Sequence, residues 1–539
     1  MQNENLLYKL RVSLIIVLAI FVQMFNFNLK EVYHIDELFS YGMANGENGV
    51  YIYQEISDID NKLLKGEIFH NYLTQTPNSS YKKTIKQLSY DCHMPLYFII
   101  LRFVNSFFPP QFTNTPGIIV NCIVLILLLI SFYHVSKNIF KDKEIATASL
   151  ALFAFSSHIL SLEIYIRMYL LQILVSTFLI LKIVEMLDAK TAKKSLMISI
   201  LLLSTINILT HFYSIIFCFS VTLSGFIVLY KQKRYKELKI FLLVMSLSAL
   251  LAYLIFPDMI KMGTQGERGG QFVSMLIKYT QTPITLLKQQ LPLFLESFFI
   301  FTSLGVISII SSAIIIHQSL KRNLLSSRQK YMICFLVILF FAYGLLVASV
   351  MPNMTSYKIR YFSPIIPVFF ILLFQVLISL KRLLNIKQIV FYSFLWIIVG
   401  LVGIHEALYQ DSPFYLRGTY KTRRIEKIIK DADIWWGLGG GKLHSWIIYG
   451  FVDKLAQAKN TWTLVDYNNK EFLEFANKGK KEGRYAYLFM PKTQELSPIG
   501  GEEWVKNTTN RQAFYMFTIK HEKTAAMAIE ASVYLVAPY

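Results

Sequence analysis

The sequence contains few charged residues and few cysteines for its length. Of the 539 residues, 16% are Asp, Glu, Lys or Arg, whereas 54% are hydrophobic. An ordinary soluble protein does not reach that proportion by enlarging one core, because single cores stop growing at roughly 250–300 residues. The chain has four cysteines, with none in the polar C-terminal part, and they support no disulfide framework.

Acidic residues are scarce, with 34 Asp and Glu against 54 Lys and Arg, which gives a formal net charge of +20. Such an excess of positive charge can indicate a nucleic-acid partner. Here the basic residues lie in short clusters between apolar blocks, as the positive-inside rule predicts for a membrane protein. We therefore expect no nucleic-acid partner. The glycine-rich run 437–441 lacks the Gly-Lys-Ser/Thr ending of a phosphate-binding loop.

The abundant feature is long apolar blocks, and the mean hydropathy is +0.44. The blocks are about 18–22 residues long, enough to cross a hydrocarbon core of roughly 30 Å. We therefore predict a polytopic α-helical membrane protein with about eleven transmembrane helices. The predicted spans are 12–29, 117–136, 145–162, 168–187, 196–213, 213–230, 239–256, 292–316, 331–350, 362–380 and 388–405.

The basic clusters predict how the chain is oriented. Each cluster precedes the first span or follows an even-numbered span, so an alternating topology places all of them in the cytoplasm. We expect a cytoplasmic N-terminus, an extracytoplasmic C-terminus and residence in the plasma membrane. The clusters are Lys9/Arg11, Lys137/Lys141/Lys143, Lys190/Lys193/Lys194, Lys231/Lys233/Arg234/Lys236, Lys321/Arg322/Arg328/Lys330 and Lys381/Arg382/Lys387.

Two parts of the chain are predicted by this topology. Residues 1–405 form a membrane module, whose first outer loop is 30–116. Within that loop, the apolar stretch Pro95–Phe108 is short for a span and suits a helix that lies in the membrane interface. Residues 406–539 alternate helix-like and strand-like stretches, which predicts a small extracytoplasmic α/β domain.

Two adjacent carboxylates, Asp36 and Glu37, stand just after the first span. Carboxylates at a membrane surface cost free energy to desolvate unless they are paired. Such a site raises carboxylate pKa values and favours a general base. The alternative is the solvated start of a loop, which composition alone favours.

Further polar residues gather at the outer ends of the predicted spans. Glu163 and Arg167 have the i, i+4 spacing of a helical ion pair, and such a pair at the membrane boundary is also a plausible anion site. Arg360 opens the tenth span, where an interfacial anchor is the alternative. His211 ends the fifth span, where a structural hydrogen bond is the alternative. The remaining candidates are His93, Tyr97, Tyr169, Tyr213 and Tyr361.

These motifs, in this order, resemble the membrane-embedded GT-C glycosyltransferases. The resemblance is strongest to the bacterial branch related to protein O-mannosyltransferases and the lipid A aminoarabinose transferase, and it covers about residues 1–400. Where the family usually has His-Pro-Pro-Leu-Tyr, this chain has Met94 in place of the first proline. The tail matches no family by its motifs. The motifs that carry the resemblance are Asp36-Glu37, His93-Met94-Pro95-Leu96-Tyr97, Arg167-Met168-Tyr169, His211-Phe212-Tyr213, and Arg360-Tyr361 with Pro364 and Pro367.

The resemblance implies a hexosyl- or pentosyltransferase that takes its sugar from a polyprenyl phosphate, commonly undecaprenyl phosphate in bacteria, usually with inversion. The acidic pair is then the expected catalytic site. We expect Asp36 to act as the base and Glu37 to orient the acceptor or Asp36. Arg167 and Arg360 would hold the phosphate, because guanidinium offers bidentate geometry.

The sequence leaves the acceptor, the metal requirement and two alternative functions open. The acceptor could be a glycan, lipid or protein of the cell envelope. No metal-ligand motif occurs, yet Mg²⁺ or Mn²⁺ can be recruited by carboxylates at a phosphate site. One alternative function is a lipid-linked sugar flippase or another transporter, which predicts symmetry-related repeats and polar groups near the bilayer midplane. The other is a polysaccharide polymerase or ligase, which typically carries its large outer loop late in the chain.

Overall fold

The computed structural model describes most of the chain. The described residues are 2–30, 33–46, 62–89, 93–189, 191–264, 315, 317–319, 321–322, 324–350, 356–409, 432–437, 452–464, 469–491, 501–520 and 530–538. Helices make up the membrane module, and they run in the order Gln2–Leu29, Ile35–Asn45, Gly66–Leu73, Tyr81–Leu88, Leu96–Asn105, Thr115–Phe140, Lys143–Ala154, Ser157–Glu163, Tyr169–Asp188, Lys194–Thr210, Ser214–Lys231, Tyr235–Ile255, Asp258–Thr264, Ser327–Val350, Ile366–Leu383 and Gln388–Tyr409. A 3₁₀ helix, Ser356–Ile365, leads into Ile366–Leu383.

In the described residues, seven helices are long and apolar enough to cross a membrane. They are Leu6–Asn28, Thr115–Phe140, Tyr169–Asp188, Ser214–Lys231, Tyr235–Ile255, Ser327–Val347 and Arg360–Leu383. The pair Lys143–Ala154 and Ser157–Glu163, bent by 56°, adds an eighth if it counts as one span. The chain is therefore a polytopic α-helical membrane protein.

Two further predicted spans coincide with the shorter apolar helices Lys194–Thr210 and Gln388–Ile404. The predicted span 292–316 lies almost wholly outside the described residues, so the count of about eleven stays a prediction. The predicted interfacial stretch contains the ten-residue helix Leu96–Asn105. That helix is too short to cross a bilayer, because a span needs about 20 residues.

The basic segments meet at one end of the helices. Arg11 donates to Glu144 at 2.9 Å, and Arg328 and Lys141 both pair with Asp188. The candidate site residues lie at the opposite ends of these helices. One end of the bundle is thus rich in Lys and Arg, as the orientation argument requires. That this end is cytoplasmic stays a prediction.

The C-terminal part contributes five strands to a six-stranded sheet. Its order is β1-β3-β2-β4-β6-β5, and the strands are β1 Leu63–Lys65, β2 Asp433–Gly437, β3 Asn460–Leu464, β4 Ala486–Pro491, β5 Ala513–Lys520 and β6 Glu530–Val536. The central strands β3, β2 and β4 are parallel, and the outer pairings are antiparallel. Helices Val452–Leu455, Lys470–Lys481 and Gly501–Thr509 accompany the strands.

The edge strand β1 comes from the first outer loop, not from the tail. Leu64 pairs with Thr461 across the sheet. Beside it, a Cβ on Gly66 would lie 2.1 Å from the carbonyl oxygen of Ala458, so only glycine fits that contact. The first outer loop and the C-terminal sheet are therefore joined by main-chain hydrogen bonds and close packing. The division into 1–405 and 406–539 stays a prediction.

Candidate active site

The site begins where the first span ends. His34 caps helix Ile35–Asn45: its Nδ1 accepts the Asp36 N–H at 3.0 Å. Glu37 completes a capping box, because its Oε2 accepts the His34 N–H at 2.7 Å. The local sequence therefore fixes the helix start, and it leaves Asp36 in the first helical turn.

Glu37 is fully buried and engaged on both oxygens. Its Oε1 accepts from the Lys30 ammonium and from the Ile166 N–H, the latter at 2.8 Å. Lys30 also donates to the Ile164 carbonyl at 2.7 Å. Burial lowers the pKa of Lys30, and the Glu37 carboxylate opposes that shift. The pair therefore ties the end of the first span to the non-helical segment 164–168.

Segment 164–168 is pressed against helix Thr115–Phe140. A Cβ on Gly117 would lie 2.5 Å from Ile166 Cγ2 and 2.8 Å from the Tyr41 hydroxyl, so glycine permits this approach. Asn121 supports the segment by donating to the carbonyls of Glu163 and Tyr165, at 2.9 and 3.0 Å. Helix Thr115–Phe140 thus fixes the segment that presents Tyr165 to the site, in addition to the bonds from Lys30 and Glu37.

Asp36 lies at the centre of the site and is partly exposed, at 17% of its side chain. Its Oδ2 accepts from the Tyr165 hydroxyl at 2.7 Å and from Arg360 Nη1 at 2.7 Å. Arg360 Nη1 also lies 2.8 Å from the Tyr165 oxygen, to which it donates. Asp36, Tyr165 and Arg360 therefore form one closed triangle, which we call the Asp36 triangle.

The pKa of Asp36 differs from the expectation. Burial alone would raise it, but the charges of Arg360 and Arg167, with His34 and the Tyr165 hydrogen bond, hold it well below its usual range. The prediction of a raised pKa for the acidic residues is thus wrong for Asp36, because sequence could not show two guanidinium groups facing one carboxylate. Asp36 is ionised at neutral pH.

Arg167 forms the second cationic wall and is 4% exposed. Its Nη1 donates to Ser40 Oγ at 3.2 Å, and its Nη2 donates to His93 Nε2 at 2.7 Å. Its guanidinium also lies over the Phe98 ring, 5.9 Å from the centroid. Burial would lower the pKa of Arg167, but Asp36 raises it. Arg167 therefore stays charged, and His93 holds it in place as a neutral acceptor.

An aromatic cluster surrounds Arg360, which lies 5.5 Å from the Tyr169 ring and 5.2 Å from the Tyr361 ring. Tyr213 lies 5.0 Å from Tyr361, and His211 lies 5.3 Å from Tyr169. His211 Nδ1 accepts the Tyr213 N–H at 3.0 Å. Burial, together with the nearby charges of Arg167 and Arg360, holds the pKa of His211 well below its usual range, so it is neutral.

The structure does not bring Glu163 and Arg167 together. Helix Ser157–Glu163 ends at Glu163, so the i, i+4 spacing no longer places the two side chains on one helical face. Glu163 is fully buried and forms no ion pair among the described residues. Tyr97 is also fully buried, and its hydroxyl has no hydrogen-bond partner in the described part of the chain.

Several residues of the site were not predicted from sequence: His34, Ser40, Tyr165 and Lys30. Tyr165 is one of 32 tyrosines and matches no motif residue. Its position between Glu163 and Arg167, next to other polar candidates, was the available signal. Lys30 directly follows an apolar span, where a lysine ordinarily extends to the interface, so nothing in the sequence distinguishes it.

The arrangement does not fit a resident divalent cation. Both Glu37 oxygens already accept from Lys30, His34 and Ile166, and the Asp36 carboxylate faces two guanidinium groups. Within the described ranges, no group of three or more His, Cys, Asp or Glu side chains could hold a metal ion. The Asp36–Glu37 pair therefore does not form a binding site for a resident metal ion.

No protein-family model and no curated protein matches the sequence. Solved structures do. The chain is similar to ArnT from Cupriavidus metallidurans bound to undecaprenyl phosphate, at 11% identity and a TM-score of 0.46, with 98% of each chain covered. It is similar to the Archaeoglobus fulgidus oligosaccharyltransferase in complex with Zn and sulfate, at 11% identity and a TM-score of 0.45, with 88% of this chain and 68% of that chain covered.

A third similar structure is the archaeal oligosaccharyltransferase AglB from Archaeoglobus fulgidus, with an inhibitory peptide and a dolichol-phosphate. Its identity is 10% and its TM-score 0.43, over 89% of this chain and 69% of that chain. At these values, the similarity does not assign a role to any residue of this chain.

Proposed function

We propose that this protein is a membrane glycosyltransferase that moves a sugar from a polyprenyl-phosphate donor to an acceptor hydroxyl on the outer face of the membrane. One observation carries the proposal: an ionised, partly exposed carboxylate, Asp36, faces two buried guanidinium groups, Arg167 and Arg360, at one end of the helices. A base beside two anion-binding groups is what transfer from a sugar phosphate requires.

In the proposed reaction, the acceptor oxygen attacks the anomeric carbon while its proton passes to Asp36. The bond from the anomeric carbon to the phosphate oxygen breaks, and the electron pair leaves with the phosphate. Glu37 is occupied by Lys30 and main-chain donors, so Asp36 is the carboxylate of the pair that remains for chemistry. A single displacement inverts the anomeric centre, which NMR of the product measures.

Arg167 and Arg360 take the phosphate in this scheme. Guanidinium binds phosphate oxygens in pairs, and it stabilises the negative charge that the leaving group gains. Arg167 is anchored by Ser40 and His93, so it serves as a fixed cation. Arg360 is bordered by Tyr169 and Tyr361, whose rings also offer flat faces to a sugar or an isoprene unit.

Glu37 acts in this scheme by positioning Asp36. Its bonds to Lys30, His34 and Ile166 hold the helix that carries Asp36 against the segment that carries Tyr165. Of the two roles expected for Glu37, orienting Asp36 is the one that these contacts support.

A transfer assay tests the proposal. The full chain, purified into lipid nanodiscs, receives undecaprenyl phosphate labelled with a radioactive hexose or pentose, together with an envelope extract as the acceptor source. Transfer of label to acceptor supports the proposal. Movement of label across a vesicle membrane without transfer favours a flippase, and growth of a polymer ladder favours a polymerase. Deletion of the gene, followed by mass spectrometry of the envelope glycans, identifies the sugar and the acceptor.

A further inference from the structure

Asp36 and Arg360 form a direct ion pair with one another. In the Asp36 triangle, one carboxylate oxygen accepts from both Arg360 and Tyr165 at 2.7 Å. The Arg360 side chain is 8% exposed, so this is a desolvated ion pair. To accept a proton in this state, Asp36 must give up its attraction to a neighbouring cation. A base that must remove a proton from an acceptor works poorly while it is so paired.

We propose that the donor's phosphate group activates Asp36 by drawing Arg360 away from it, while Tyr165 keeps the carboxylate in place. This inference rests on the proposed function and adds a control to the same site. In this proposal, Asp36 and the donor phosphate compete for Arg360. Asp36 accepts from Arg360 with one oxygen, whereas a phosphate offers it two. Once Arg360 turns to the phosphate, the proton affinity of Asp36 rises.

Arg360 is suited to this movement by its surroundings. In the described part of the chain, the charged and titratable groups that face Asp36 include His34, Tyr165, Arg167, Tyr169 and Arg360. Arg167 is tied to Ser40 and His93. Outside the Asp36 triangle, Arg360 donates to the Tyr361 hydroxyl at 3.4 Å and lies between the Tyr169 and Tyr361 rings, at 5.5 and 5.2 Å, which offer continuous cation–π contact as it turns.

Tyr165 is a positioning residue in this scheme. Its ring stacks on Tyr169, with centroids 5.9 Å apart and planes within 6° of parallel, and its hydroxyl donates to Asp36. That hydrogen bond joins Tyr165 to Asp36 directly, so in this proposal it holds Asp36 toward the acceptor after the ion pair opens. The phosphate that leaves gains negative charge, and Arg360 is already beside it to stabilise that charge.

Binding of undecaprenyl phosphate, without sugar, tests the competition. The full chain in nanodiscs is compared as wild type, Asp36→Asn and Asp188→Asn. Asp188 also pairs with an arginine, Arg328, but at the opposite end of the helices. Asp36→Asn removes the anion that competes for Arg360, so its affinity should rise about tenfold. Asp188→Asn should leave the affinity unchanged. An Asp36→Asn variant that binds no tighter than wild type overturns the proposal.

Kinetics with a labelled donor test the second half. The acid limb of kcat should lie at higher pH than that of kcat/KM, because kcat reports the complex and kcat/KM the free enzyme. Tyr165→Phe should lower kcat about tenfold and move the acid limb of kcat further up, with the donor KM unchanged. Tyr41→Phe, which loses a buried hydroxyl that accepts the Gly117 N–H, is the control for stability.

The outcomes separate two kinds of failure. The activation of Asp36 by phosphate is contradicted if the acid limbs of kcat and kcat/KM coincide. It is also contradicted if Tyr165→Phe raises the donor KM and leaves kcat unchanged. If Tyr165→Phe does not fold, the binding comparison with Asp36→Asn decides. Absence of sugar transfer by the wild type contradicts the proposed function instead, and it leaves the binding comparison readable.

Discussion

Arg360 Nη1 lies 2.7 Å from Asp36 Oδ2, although 324 residues separate the two in the chain. Asp36 follows the first membrane helix, and Arg360 opens the span Arg360–Leu383. The contact therefore joins the beginning and the end of the membrane module. A site assembled in this way depends on the packing of the whole module, so variants of each residue need a measure of folding beside a measure of activity.

Arg360→Ala should raise the donor KM about 10- to 100-fold, because hydrogen bonds to charged groups contribute about 1.5–3 kcal/mol. Arg360→Lys should recover only part of this loss, since lysine keeps the charge but not the bidentate geometry. Arg382→Ala is the control: Arg382 donates to the Leu324 carbonyl at 2.8 Å, away from the site. Equal donor KM values for wild type and Arg360→Ala would remove Arg360 from the phosphate site.

Glu37→Gln should lower the free energy of unfolding by about 3–5 kcal/mol, because it leaves the buried Lys30 ammonium without a counter-ion. The double variant Lys30→Met/Glu37→Gln should recover much of that loss. Thermal unfolding in detergent of both single variants and the double variant completes the cycle. Independent, additive losses from the two changes would show that Lys30 and Glu37 do not stabilise each other.

His211 is neutral because burial and nearby positive charges depress its pKa. In the unfolded chain, it gains a proton as pH falls through about 6.5, so the unfolded state is favoured there. The contribution of His211 to folding stability is present above that pH and is lost below it. The midpoint of thermal unfolding should therefore fall between about pH 7.5 and 5.5 more steeply in wild type than in His211→Gln. Parallel curves would contradict this assignment.

Cysteine labelling tests the predicted orientation. In a background with Cys92, Cys122, Cys218 and Cys334 replaced by serine, single cysteines at Lys83 and Asn510 should react with an impermeant thiol reagent in intact cells. A cysteine at Gln232 should react only after the cells are opened. Both Lys83 and Asn510 are exposed to the reagent. Labelling at Gln232 in intact cells would invert the topology and, with it, the side on which Asp36 acts.

The membrane helices were predictable because apolar length is a local property of the sequence. The break between Lys143–Ala154 and Ser157–Glu163 was not, because the polar run Ser156-Ser157-His158 at the 56° bend is too short to end the apolar block 145–162. Residues 163–167 lie between two predicted spans, and the i, i+4 spacing of Glu163 and Arg167 suggested a helix where the structure has the non-helical segment 164–168. That segment explains why the helical pair of Glu163 with Arg167 does not form and why Tyr165 reaches Asp36 instead.

In the tail, alternating apolar residues predicted strands at 513–519 and 531–536, which coincide with β5 and β6. β2 and the helices Lys470–Lys481 and Gly501–Thr509 were missed. β1 could not have been found, because three residues carry no usable pattern and its partner lies about 400 positions away. The site motifs were found by resemblance, whereas their contacts depend on tertiary packing.

Asp36 is the residue on which the proposed transfer depends most directly, and one comparison tests its role. Wild type and Asp36→Asn, each in nanodiscs and each shown to be folded by thermal unfolding, receive radiolabelled polyprenyl-phosphate sugar at saturating concentration with the native acceptor. Wild type should transfer the sugar, and Asp36→Asn should lose about 10²–10⁴-fold in kcat with the donor still bound. Transfer by Asp36→Asn at the wild-type rate would contradict the role of Asp36 as the base.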